Sequence, residues 1–290
     1  MTHYDFDAAG RKIAETNAKL EIIRYTNNAA GDLLSLTDGK NQTTRWNYDQ
    51  YGHVTNQVDQ AGTEIFRYKY DADNRLTNRW SMANSNTYYT YDPVGNLTFV
   101  NYSASPDVTF QYDALSRVTN MVDAVGTTKY TYTIGGQLWT EDGPFANDTV
   151  TNIFSSRLRV EMDLQQPTGM WTNQFGYDSA KRLTGVTSPA GAFTYTLGAT
   201  APASPLIKTL LLPNTSYITN IYDGNARLLG TWLKKNDNTT LDFATYGYNL
   251  GNLRIGFTNS IIGSHGYSYD PNGQLIGVIS SVRYNYGYDA

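Results

Sequence analysis

The 290 residues carry 26 acidic and 22 basic side chains, for a net charge of −4. Without a basic stripe, that composition excludes a nucleic-acid-binding surface. The absence of cysteine excludes disulfides and thiolate metal sites, and no run of 18 apolar residues exists to form a membrane-spanning helix.

Met1–Gly10 is polar and has no signal-peptide pattern. From there a phrase recurs: aromatic, any residue, Tyr, Asp, two residues, Gly, Arg, Leu. Indexed by its second aromatic position, it falls at Phe6, Asn27, Tyr48, Tyr70, Tyr91, Tyr112 and Tyr132, in steps of 21, 21, 22, 21, 21 and 20 residues. Tyr177, Tyr222, Tyr248, Tyr269 and Tyr288 continue it. The two steps of 45 residues, Tyr132 to Tyr177 and Tyr177 to Tyr222, each predict one worn copy. One is expected near Asn152–Leu158, the other near Phe193-Thr194-Tyr195. A fixed period means one small unit copied in series.

Each unit reads as two antiparallel strands. Asp at the first turn position bonds its own downstream backbone, and Gly at the fourth takes the left-handed conformation that closes a hairpin. Asp49 with Gly52, Asp92 with Gly95 and Asp270 with Gly273 fit this pattern, and Asn74 is the next best choice after Asp71. Ser116, Lys181 and Ala226 suit that conformation poorly, so their turns, opened by Asp113, Asp178 and Asp223, are expected to differ. A second turn phrase closes the other end of the unit, as in Asp59–Gly62 and Asp123–Gly126. Between turns, His53–Val58 and Thr63–Tyr70 have strand lengths. Gly135-Gly136 reads as a shortened turn, and Leu206–Leu212 as a strand or insertion closed by Pro213.

The predicted fold is all-β: repeats of ~21 residues in a long coiled antiparallel β-strip. Neighbouring strands lie ~4.8 Å apart, so two dozen strands laid flat would run on the order of 100 Å, well past the ~10 at which open sheets curl or split. One repeat domain is expected over residues 1–290. It is regular over 1–140, degenerate or inserted over 141–220, and regular again over 221–290, where it is truncated at Tyr288-Asp289. Pro144, Pro167, Pro189, Pro202, Pro205 and Pro213 mark the degenerate stretch.

The Tyr-Asp-x-x-Gly-Arg-Leu phrase at this step resembles the YD repeat of the RHS proteins. That family includes bacterial Rhs polymorphic toxins, the B and C subunits of insecticidal toxin complexes, and animal teneurins. The resemblance is close over residues 4–140 and 221–290 and loose over 141–220. It implies a β-strip spiralling into a hollow shell, in a secreted or cell-surface protein. In bacterial members the shell encloses a toxic C-terminal polypeptide; in teneurins it supports cell–cell recognition. The chain departs from the family in having fewer repeats than a full shell. Its two Asp-Pro-x-Gly strings, Asp92-Pro93-Val94-Gly95 and Asp270-Pro271-Asn272-Gly273, stand 178 residues apart inside ordinary turns. Self-cleavage and a payload are therefore not carried over.

No catalytic, cofactor or metal site is expected. The recurring residues Tyr48, Asp49, Gly52, Tyr70, Asp71, Arg75, Tyr91, Asp92, Gly95, Tyr112, Asp113, Arg117, Tyr177, Asp178, Arg182, Tyr222, Asp223, Arg227, Tyr269, Asp270 and Gly273 read as structural, because a residue needed by every copy serves folding. Arg11 and its counterparts read as cross-strand partners rather than phosphate ligands. His53 occupies the arginine position of its copy, and no His-Glu-x-x-His spacing suggests metal. Asp71, Asp73 and Asn74 lack the further ligands of a calcium loop. Glu141, Asp142 and Asp148 are the only carboxylates off the repeat register that a glycosidase could use. The leading expectation is a non-enzymatic shell or scaffold segment that pairs with the rest of a larger shell. Its alternatives are head-to-tail assembly of copies through exposed edge strands and an adhesin whose tyrosine rows stack on carbohydrate.

Overall fold

The computed structural model describes residues 2–201, 204–280 and 282–288. Three sequence features fall outside that range: Met1, Pro202, and the Asp289-Ala290 end of the last copy. The described residues form twenty-seven β-strands and no helix, from His3–Phe6 to Arg283–Asn285. Two compact units divide the chain: residues 1–129 with 288–290, and residues 130–287. The division falls within the strand Thr127–Tyr132.

In the first unit every strand from His3–Phe6 to Val118–Val122 pairs antiparallel with its chain neighbours. The second unit repeats the pattern from Leu138–Asp142 to Arg283–Asn285. One period is thus one hairpin plus its link to the next. Thr43–Tyr48 turns back into Val54–Val58, then Glu64–Tyr70 turns back into Leu76–Ser81.

The register slips at the same place in copy after copy. Asn47 faces Asn56, but Tyr48 faces Val54; Lys69 faces Asn78, but Tyr70 faces Leu76. Gln111/Tyr112, Gly176/Tyr177, Ile221/Tyr222, Gly247/Tyr248 and Ser268/Tyr269 show the same slip. Each of these index residues therefore sits at a β-bulge next to its turn, the arrangement expected when a type I turn ends in a left-handed residue.

The slip also locates the worn copies. It occurs at Ile153/Phe154 and at Thr196/Leu197. The first lies inside the expected span, and the second is two residues past Tyr195. The hairpins run on through 141–220, and the apolar run there is the strand Ile207–Leu211.

The sheet has almost no enclosed core. Among the described residues Val100, 5 % exposed, is the one buried hydrophobic, and no side chain is fully buried. The chain exposes 18051 Å² for 32.4 kDa, whereas two separate globular proteins of half that mass would together expose roughly 15,000 Å². Among the described residues, the strand contacts within each unit are between chain neighbours. Many apolar side chains of the strands are half-buried, as Tyr68 and Tyr70 are, while Lys69 between them is exposed.

Candidate functional site

The recurring unit is a corner, and its chemistry starts from the aspartate. Asp71 Oδ1 accepts the backbone N–H groups of Asp73 (3.0 Å) and Arg75 (2.9 Å). Its Oδ2 takes the Arg75 Nε–H at 2.8 Å. The backbone closes underneath: Asn74 N–H donates to the Asp71 carbonyl and Asp71 N–H to that of Arg75. Asp113 with Arg117, Asp178 with Arg182 and Asp223 with Arg227 repeat this geometry, with Nε–Oδ2 distances of 2.7, 2.7 and 2.6 Å. Asp7 and Arg11 match it at 2.7 Å. The arginine's ion pair is thus with the aspartate of its own turn, not across strands.

Two kinds of contact run from the corners to the adjacent hairpins. The index tyrosine reaches back to the first carbonyls of the preceding return strand. Tyr48 donates to Leu33 O (2.8 Å), Tyr70 to Val54 O (3.1 Å), Tyr91 to Leu76 O (2.8 Å) and Tyr112 to Leu97 O (2.7 Å). In the second unit Tyr177 reaches Arg159 O, Tyr248 reaches Leu228 O and Tyr269 reaches Arg254 O. The arginine reaches forward. Arg75 Nη1 donates to the carbonyl of Asp92 (3.3 Å) and Arg227 Nη1 to that of Asn249 (3.1 Å). Arg11 meets Asn28 O, and Arg182 meets Ser204 O. Arg75 and Arg227 also lie over the next index rings, Tyr91 at 4.9 Å and Tyr248 at 5.1 Å, a favourable cation–π placement.

Sequence reasoning missed several corner residues. Asn17, Asn28 and Asn249 fill the aspartate position, each with a side-chain oxygen accepting the N–H four residues on. Thr133 does so with its hydroxyl, which accepts Gln137 N–H at 3.1 Å. The Gly135-Gly136 turn is accordingly full-length rather than shortened: Gly136 N–H bonds Thr133 O and Thr133 N–H bonds Gln137 O. The expectation that Ser116, Lys181 and Ala226 alter their turns also needs correcting. Their φ values of 59°, 63° and 62° match that of Asn74 at 64°, and the same backbone bonds form. The aspartate's three accepted bonds outweigh the ~1–2 kcal/mol cost of a left-handed non-glycine residue.

The remaining candidates resolve as follows. Both Asp-Pro strings form the common corner, with Asp92 Oδ1 accepting Val94 and Asn96 N–H and Asp270 Oδ1 accepting Asn272 and Gln274 N–H. Gly52, Gly95 and Gly273 take φ values of 85°, 97° and 81°. Tyr222 sits at its bulge opposite Leu228. Asp71 and Asp73 both pair with Arg75. Asp142 accepts the Thr149 hydroxyl at 2.6 Å and Asp148 the Phe145 N–H at 2.9 Å, so both carboxylates serve the loop that joins their strands. Among the described residues no group of three acidic, histidine or cysteine side chains could hold a metal.

The corner also moves its titrating groups. In Asp7, Asp71, Asp178 and Asp223 the N–H of the arginine four residues on is the largest influence. With the guanidinium it outweighs burial and holds the carboxyl below its ordinary range. In Asp113 the Arg117 side chain leads. Burial pushes Tyr48, Tyr70, Tyr91 and Tyr112 up. Those rings are half-buried and their hydroxyls already donate to backbone.

Comparison with known proteins agrees with this geometry. The family model described as Teneurin YD-shell matches residues 1–145, half of the chain. No curated protein sequence matches. Among solved structures, the crystal structure of TcdB2-TccC3-Cdc42 is similar at a TM-score of 0.55 and 14 % identity, covering 96 % of this chain and 19 % of that one. A Photorhabdus luminescens Tc holotoxin pore is similar at 0.54 and 14 %, with coverage of 96 % and 19 %. TcdB2-TccC3 without its hypervariable C-terminal region gives 0.55 and 14 %, with the same coverage. The chain thus spans about a fifth of the length of the solved chains it resembles, and at this identity the likeness is one of fold.

Proposed function

The chain belongs to the Teneurin YD-shell family, and from that premise we propose that it is a non-enzymatic structural module, a stretch of β-repeat shell wall. The observation that carries this reading is the tied corner: seven index tyrosines bond back to the preceding hairpin through their hydroxyls, and Arg11, Arg75, Arg182 and Arg227 bond forward to the next. Such ties strengthen a sheet in which Val100 is the one buried hydrophobic among the described residues. Its partners are further wall segments of a larger protein, its location secreted or cell-surface, and its role to enclose or present a polypeptide. Negative-stain microscopy tests this: thin-walled particles, single or joined, support it, and solid globules overturn it.

A second reading, strand addition between copies, is favoured by one observation. Among the described residues His3–Phe6 has one hydrogen-bonded neighbour, Lys12–Thr16, and Tyr4 and Phe6 are 47 % and 58 % exposed. The outer side of such a strand is a template for pairing with a copy or with a further wall segment. Light scattering that shows a single monomeric species up to high concentration would remove it. The tyrosine rows offer less to a sugar, since the index rings are half-buried and their hydroxyls are engaged.

A further inference from the structure

Arg79 stands apart from the other arginines. Arg11, Arg75, Arg117, Arg182 and Arg227 are half-buried and paired with the aspartates of their turns. Arg24, Arg45, Arg157 and Arg283 are exposed. Arg79 is half-buried, yet among the described residues it makes no hydrogen bond and no ion pair. Acids of the same hairpins are engaged elsewhere: Glu64 with Arg67, Asp73 with Arg75, and Asp107 with the Asn101 amide and the Tyr102 N–H. A guanidinium drawn out of bulk water without a partner leaves its donors unmatched.

The sheet explains why Arg79 is shielded. Tyr68, Arg79, Thr87 and Tyr102 stand opposite one another across four consecutive strands, from Glu64–Tyr70 to Leu97–Tyr102, so they share a face. Thr87 is 3 % exposed, and Ser81, two places beyond Arg79, is 5 % exposed. The loops at this end of the strands are pinned to their neighbours. Met82 N–H donates to Ile65 O at 3.1 Å, Asn84 N–H to Ser81 Oγ at 3.1 Å, and Ser103 N–H to Asn86 O at 3.0 Å.

Arg79 lines two cavities. One, of about 210 Å³, also has Asn84, Thr87, Tyr102 and Ser105 in its wall. Each of those side chains is a hydrogen-bond donor, and none is engaged elsewhere among the described residues. The other cavity, of about 370 Å³, shares Arg79 and Asn84 and adds Ile65, Phe66 and Met82. Among the described residues no carboxylate lines either one. A cation among free donors, with no acid, selects an anion, and a planar guanidinium matches a carboxylate in particular. The apolar wall beside it fits an apolar group on the same ligand. An extended polypeptide presents two such groups to one side when they are two residues apart.

We propose that Arg79 and its two cavities bind an extended polypeptide segment. The carboxylate of an Asp or Glu sits on Arg79, and an apolar side chain two residues away sits against Phe66 and Met82. No tie between hairpins uses Arg79, so the site is an addition to the wall and not one of its joints.

Calorimetric titration of the intact chain with acetyl-Leu-Thr-Glu-Thr-Leu-amide tests the site. This peptide places a leucine two residues from the glutamate on both sides and so serves either chain direction. Binding should saturate. It should weaken on the order of 10- to 100-fold when the peptide's Glu is replaced by Gln, and equally in the Arg79→Gln protein. Arg79→Gln removes an unpaired charge and should keep the denaturant midpoint. Replacing both peptide leucines with serine, or making Met82→Ser, should weaken binding several-fold, and Arg45→Gln should leave it unchanged. Absence of saturable binding, or equal binding of the Glu and Gln peptides to the unaltered protein, overturns the proposal. So does undiminished binding by Arg79→Gln. Inorganic phosphate that binds as tightly as the peptide shows a general anion site and overturns the polypeptide assignment. An equal loss in Arg45→Gln shows diffuse charge attraction and overturns it too.

Discussion

The hydroxyl of Tyr91 donates to the carbonyl of Leu76 across 2.8 Å, joining one hairpin to the hairpin before it. Arg75, the residue just before Leu76, reaches the other way to Asp92, just after Tyr91. The two side chains thus cross between the same pair of corners. Tyr91→Phe keeps the ring under the Arg75 guanidinium and removes only the backward bond. It should cost about 0.5–1.5 kcal/mol, read as a lower denaturant midpoint with an unchanged slope. No loss of stability in either Tyr91→Phe or Tyr112→Phe would show that the hydroxyl bond does not hold the joint.

The left-handed turn position offers gains as well as losses. Ala226, Lys181 and Ser116 hold φ near 60° without glycine's freedom. Replacing each with glycine should stabilise by roughly 0.5–1 kcal/mol, the relief of strain exceeding glycine's cost in the unfolded chain. Gly95→Ala should go the other way by about 1 kcal/mol. Open space surrounds the added Cβ, so the loss would be purely conformational. Thermal melts of the four variants suffice.

The corner aspartates separate a bonding role from a charge role. Asn already serves at Asn17, Asn28 and Asn249, so Asp71→Asn should keep both accepted N–H bonds and lose only the Arg75 pair. Asp71→Ala should lose all three and cost more than Asp71→Asn, by about 1 kcal/mol or more. Equal costs in chemical denaturation would place the whole effect in the ion pair.

Acid and alkali should act on the same corners by opposite routes. The carboxyls of Asp7, Asp71, Asp113, Asp178 and Asp223 are held low. Their contribution is complete above the unfolded value of about 3.9 and is lost as pH falls through the folded values. The phenols of Tyr48, Tyr70, Tyr91 and Tyr112 are held high by burial. Their contribution is complete below about 10 and is lost as pH rises through the folded values. Denaturant midpoints should therefore be level between about pH 5 and 9 and fall on both sides. Changing the four tyrosines to Phe should remove the alkaline fall.

The period, the hairpins and the Asp-Gly turns were legible because their chemistry lies within five contiguous residues: an acceptor side chain, then a residue tolerant of positive φ. The backward tie was not, because its acceptor is the carbonyl of Leu33, Leu76 or Leu97, and a carbonyl leaves no mark in the side-chain pattern. Thr133 escaped notice because a hydroxyl can stand in for a carboxylate in a turn without resembling one. Phe154 and Leu197 show the same limit. The bulge persists when the tyrosine is gone, since strand register and turn length set it. Lys181 and Ala226 were misjudged because local preference was weighed without the three bonds the aspartate supplies.

Each tie spans one hairpin and no more: the tyrosine reaches back one, the arginine forward one. Nothing in a corner registers how many others exist. Whole units of about 21 residues are therefore interchangeable parts, and a length of wall can be extended, shortened or spliced between relatives at corners while every remaining joint keeps its partners.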